Sequence, residues 1–153
     1  MRILHTMLAS LIFTLDSTFG VFAAAQQALI GSNYESFTDI ANCQATYYCD
    51  VSFPPIPAGK TILITRVTCR AFSNSGPVTV RFGPTTTDRG EAFVKRTYFE
   101  EISSRYSSPF FYYTFQAIPM FHIGGGRYPT VHYRLANTSS GIGLECSLSG
   151  TAV

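Results

Sequence analysis

Pro54-Pro55-Ile56-Pro57-Ala58-Gly59-Lys60-Thr61-Ile62-Leu63-Ile64-Thr65-Arg66-Val67-Thr68-Cys69-Arg70-Ala71-Phe72 is the stretch whose reading decides the fold. Proline lacks the N–H that a ladder needs, so Pro54 and Pro55 end the strand that precedes them, and Ala58-Gly59 turns the chain. From Lys60 onward β-branched residues dominate and side chains alternate with a period of two, the pattern of a strand. Leu63, Thr65, Val67, Cys69 and Ala71 share one face. Ile62, Ile64 and Phe72 lie on the other with Arg66, Thr68 and Arg70, so the first half reads as apolar on both sides. A strand covered on both sides at one end and solvated on one side at the other fits the middle of a sheet that packs on a second sheet.

The flanking sequence repeats the theme. Upstream, Tyr47, Cys49, Val51 and Phe53 alternate with Tyr48, Asp50 and Ser52; residues 36–41 read as a first edge strand and residues 26–33 as a loose leader. Downstream, Ser73-Asn74-Ser75-Gly76-Pro77 is a turn, followed by a strand at 78–82, a polar loop at 85–90 and a strand at 92–99 preferred over a short helix. Residues 103–109 read as a turn, 110–118 as an aromatic strand and 120–123 as a short one. Gly124-Gly125-Gly126 then makes a corner. Residues 130–135 alternate again, 137–141 turn, and 142–150 complete the series. Many short strands with turns between them and no long helix predict an all-β chain, an antiparallel β-sandwich of Greek-key or jelly-roll-like order.

The N-terminus reads differently. Arg2, an apolar run from Leu8 to Phe13, and the small residues Ala23-Ala24-Ala25 have the layout of a helical secretory signal peptide, although His5 and Asp16 interrupt it. The apolar run is too short to span a bilayer. The expected organisation is a cleaved signal peptide over 1–25 and one sandwich domain over 26–153, secreted to the extracellular space or periplasm with no membrane span left after cleavage. Cleavage removes one charge of each sign, Arg2 and Asp16, so the net charge stays at +2. That balance gives no electrostatic footprint for nucleic acid. Charged residues make up only 13% of the chain, so Ser, Thr, Asn, Gln and Tyr must supply much of the polar surface.

Cys43, Cys49, Cys69 and Cys146 all follow the cleavage point, and an even number in an exported chain reads as two disulfides. Cys43 and Cys49 are six positions apart, which suits a local clip and leaves Cys69 to join Cys146, whose inward direction in the last strand matches that of Cys69. No cysteine pair has zinc-ligand spacing and neither His122 nor His132 is near a cysteine, so neither metal nor cofactor is expected.

No catalytic constellation stands out. There is no GxSxG nucleophile elbow, and Glu100-Glu101 point to opposite faces if they lie in a strand, which does not suit paired carboxylates. Gly124-Gly125-Gly126-Arg127 lacks the lysine and hydroxyl of a phosphate loop, and Asn137-Thr138-Ser139 is a glycosylation sequon only in a eukaryotic host. Aromatic residues carry more promise: 9 Tyr and 13 Phe with no Trp, and tyrosines with polar tips suit recognition surfaces. Tyr48, Tyr112, Tyr128 and His132 are the candidate ligand-binding residues. The reading that follows is a secreted, non-enzymatic binding module for a protein or glycan. Two alternatives are a small hydrolase assembled from His122, His132 and a carboxylate such as Glu145, and a subunit of a coat or appendage that oligomerises through an edge strand.

Overall fold

A computed structural model describes residues 26–43, 46–74, 77–87, 98–100, 104–139 and 142–153. The signal-peptide segment and most of the strand expected over 92–99 lie outside them. The described residues are all-β and antiparallel, without a helix. The strands are β1 (Gln26–Ile30), β2 (Asn33–Cys43), β3 (Thr46–Ser52), β4 (Thr61–Ser73), β5 (Pro77–Thr85), β6 (Tyr98–Glu100), β7 (Ser104–Ser107), β8 (Phe110–Ala117), β9 (Phe121–Gly124), β10 (Tyr128–Ser139) and β11 (Ile142–Ala152).

They form two sheets. The larger runs β1-β2-β11-β4-β8-β7, with β9 also on β4, and the smaller runs β3-β10-β5-β6. β8 and β9 pair with successive halves of β4 and act as one strand interrupted at Ile118-Pro119-Met120, where Met120 takes a positive φ of 46°. Alternate residues of both sheets meet in one core: Ile62, Ile64, Val67, Phe115 and Leu144 from the larger, Val51, Val80, Phe82, Val131 and Tyr133 from the smaller. Removing this apolar surface from water is the main drive to fold, about 25 cal/mol per Å² buried.

The opening stretch becomes β4, which sits between β11 and β8 at the centre of the larger sheet. Its inward set differs from the simple alternation. Ser149 pairs with Arg66 and Gly150 with Ile64, which leaves Thr65 as an extra residue on β4. Such a bulge shifts the pleat by one: Ile62 and Ile64 point inward before it, and Val67, Cys69 and Ala71 after it. The apolar residues of the first half are thus not split between two covered faces, and Leu63, on the outer side, is only half-buried. The Thr65 hydroxyl donates to the Ser149 carbonyl at 3.3 Å and satisfies part of the interrupted ladder.

Three other expectations change. Residues 137–139, expected to turn, continue strand β10. Residues 26–30 form an edge strand rather than a leader, because Gly31, at φ 61°, and Ser32 close a two-residue hairpin onto β2. Residues 104–107 form β7, with the turn confined to Ser108-Pro109.

Both disulfides form as the spacing suggested. Cys69 and Cys146 are direct cross-strand partners in the larger sheet, and Cys43–Cys49 ties β2 of one sheet to β3 of the other. Two disulfides are consistent with an oxidising compartment. The turn that precedes β4 rests on the glycine corner. The Gly126 N–H donates to the Ile56 carbonyl at 2.8 Å, and a Cβ on Gly125 would stand 2.9 Å from the Pro57 carbonyl oxygen.

Candidate functional site

The outer face of the larger sheet carries three concavities. In β4 the bulge turns Arg66, Thr68, Arg70 and Phe72 outward, and in β11 the buried set Leu144, Cys146 and Leu148 leaves Glu145 and Ser147 facing solvent. Three adjoining depressions follow these rows. One of about 420 Å³ lies where Glu35 and Phe37 of β2 meet Arg66 and Thr68, with Gln26 to Ala28 of β1 along its side. The next, about 270 Å³, shares Phe37, Thr68 and Ser147 and adds Arg70 and Glu145. The last, about 220 Å³, shares Arg70 and Glu145 and ends on Phe72, Tyr112 and Thr114. Together they make one trough along β4 and β11; from Arg66 to Phe72 it is about 20 Å long at the strand rise.

The chemistry of the trough is mixed and balanced. Arg66 and Arg70 face Glu35 and Glu145, so the charges of the described lining side chains balance, and neither arginine is engaged in an ion pair with another described residue. Three rings, Phe37, Phe72 and Tyr112, are more than a third exposed. Phe72 covers Gly143, where a Cβ would come within 2.3 Å of the ring, and it meets Phe110 edge-on at a centroid distance of 6.2 Å. The missing side chain at position 143 is what makes room for a ring on the sheet surface.

No family model, no curated protein and no solved structure matches this chain.

The four candidate residues divide between two faces. Tyr112 stands in the trough. Tyr48, Tyr128 and His132 lie on the outer face of the smaller sheet, Tyr128 four residues before His132 along β10. There Tyr48 stacks on His132 at 5.6 Å with 25° between the planes, and the His132 Nδ1 hydrogen-bonds the Asp50 carboxylate at 2.6 Å. Asp50 was not singled out by sequence; its place directly opposite His132 depends on the β3–β10 register. His122 and Glu145 do not join this group, because both face outward from the larger sheet, on the other side of the core. The described residues contain no group of three His, Cys, Asp or Glu side chains able to hold a metal ion.

Sequence reasoning missed the trough because its members come from five strands. The one available signal was the Arg66-Thr68-Arg70-Phe72 alternation on β4. Beneath it, the rings of Tyr113 and Tyr133 lie 5.8 Å apart in the core. Burial pushes both phenols above the usual tyrosine range, and Tyr113 raises Tyr133 further.

Proposed function

We propose that the chain is exported, loses residues 1–25, and acts as a non-enzymatic jelly-roll sandwich that binds a neutral glycan chain in the trough of the larger sheet. The strand order supports the jelly-roll reading: β2-β11-β4-β8 lies over β3-β10-β5-β6, and β2 to β3, β4 to β5 and β10 to β11 each cross between sheets. The two disulfides suit export.

The observation that carries the ligand reading is the pairing, along one continuous trough, of exposed rings with charged forks that have no ion-pair partner among the described residues. Sugar rings present apolar C–H faces, which stack on Phe37, Phe72 and Tyr112. They also present hydroxyls, which accept from arginine and donate to carboxylate. A polyanion is disfavoured by the two glutamates. A peptide recognised by strand addition would use a sheet edge rather than a sheet face.

A glycan array screened with the exported protein, followed by calorimetry on the best hit, tests this. Arg70→Ala and Tyr112→Ala should each weaken binding about tenfold, the loss of one charge-assisted hydrogen bond or one stacked ring. Silence across the array, or binding untouched by both substitutions, would refute the reading.

A further inference from the structure

The strand β1 closes the larger sheet on one side, and it carries none of the devices that keep sheet edges apart. Natural edges are blunted by proline, lysine, bulges or inward-pointing charges. Gln26-Gln27-Ala28-Leu29-Ile30 has none of these, and its pairing with β2 is regular through all five residues. The opposite edge, β7, has four residues, displays Arg105 and runs straight into the Ser108-Pro109 turn. In the smaller sheet, β3 carries Asp50 and stops at Pro54-Pro55.

The hairpin register shows which backbone groups β1 offers. Ile30 and Asn33 flank the two-residue turn and form the closing hydrogen-bonded pair. Hydrogen-bonded pairs then recur at every second position, at Ala28–Glu35 and Gln26–Phe37. The N–H and C=O groups of Gln27 and Leu29 therefore point away from the sheet, toward whatever lies alongside.

We infer that β1 pairs antiparallel with β1 of a second copy of this chain, centred on Ala28, to give a two-fold dimer with one continuous sheet. In that register Gln27 of each copy meets Leu29 of the other in a hydrogen-bonded pair, and all four outward groups of each strand are satisfied. Ala28 meets its own copy across the axis, where a small side chain permits close approach, and Gln26 meets Ile30, which is 76% exposed in the single chain. The contact is isologous, so it closes at two copies and does not propagate. Gln26, Gln27 and Ala28 also border the first depression, so the dimer sets the first depressions of the two copies on either side of the axis. The pairing rests on removal of residues 1–25, which would otherwise run on from Gln26.

Analytical ultracentrifugation of the exported protein over a wide concentration range, with intact mass to fix its first residue, tests this. The expected result is a monomer–dimer equilibrium for the chain that begins at Gln26. Gln27→Pro removes an outward N–H from each copy without touching the bonds to β2 and should weaken the dimer about tenfold or more. Ala28→Lys is the second variant. It places like charges opposite each other at the axis but sets the new lysine opposite Glu35 in the monomer, so the dimer should dissociate while the fold is retained. A strict monomer beginning at Gln26 at every concentration, or a dimer indifferent to both substitutions, would overturn the inference. A protein that retains residues 1–25 refutes the export reading and with it this pairing, and the intact mass shows which of the two has failed.

Discussion

Removing the Cys69–Cys146 bridge should cost about twice as much stability as removing Cys43–Cys49, and the reason lies in the unfolded chain. The first bridge closes a ring with a sequence separation of 77 and the second one of 6. In the chain-entropy treatment these rings remove about 4.5 and about 2.2 kcal/mol of unfolded-state freedom. Both bridges join strands already held by ladders or by the shared core, and three of the four cysteines are buried, so the loss of buried sulfur is similar and the difference is set by ring size. Urea unfolding of Cys69→Ala/Cys146→Ala and Cys43→Ala/Cys49→Ala, each against the parent, measures it. The midpoint of the first variant should fall about twice as far, and its m-value should rise more because a longer segment is freed to expand. Equal losses, or a larger loss for the short clip, would mean that native packing around the sulfurs governs the effect.

Gly150→Ala should cost about 2 kcal/mol or more in thermal unfolding, since its Cβ would stand 2.5 Å from the Leu63 backbone carbonyl oxygen. The three atoms nearest a Cβ at Gly143 all belong to the Phe72 ring, which can swing away; with Gly143→Ala, stability should change little while glycan binding in calorimetry is lost. Tyr133→Phe should leave the urea midpoint unchanged or raised, because its buried hydroxyl has no hydrogen-bond partner among the described residues. Tyr113 and Tyr133 hold their protons in the folded state well above the ordinary value of 10.0. The unfolded chain releases those protons from about pH 10, so stability should be level below that pH and fall as pH rises beyond it, as read by alkaline unfolding followed at the phenolate absorbance.

Much of the fold was legible because its signals are local. The alternation in β4, the Pro54-Pro55 stop and the glycine corner each depend on a few neighbouring residues, and Cys69 with Cys146 followed from which way each strand turned its sulfur. The misreadings came from features that only pairing reveals. The bulge at Thr65 exists because Ser149 and Gly150 set the register on the far side. Gln26–Ile30 reads as a leader in sequence because a five-residue neutral strand has no signature apart from its partner. The functional face was less legible still. Arg70, Glu145, Phe37 and Tyr112 come from four strands spread over most of the chain, and His132 acquires Asp50 only through cross-strand register.

The bridge between β4 and β11 also decides how the molecule bears load. Tension applied between its two ends passes from Cys69 straight to Cys146 through the sulfurs, so the ring of strands from β5 to β10 is shielded and cannot be drawn out. Only the chain before Cys69, less the small loop held by Cys43–Cys49, and the few residues after Cys146 can lengthen. A protein tethered at both ends would yield a short, fixed extension and then hold, and adding a reductant would release the hidden length.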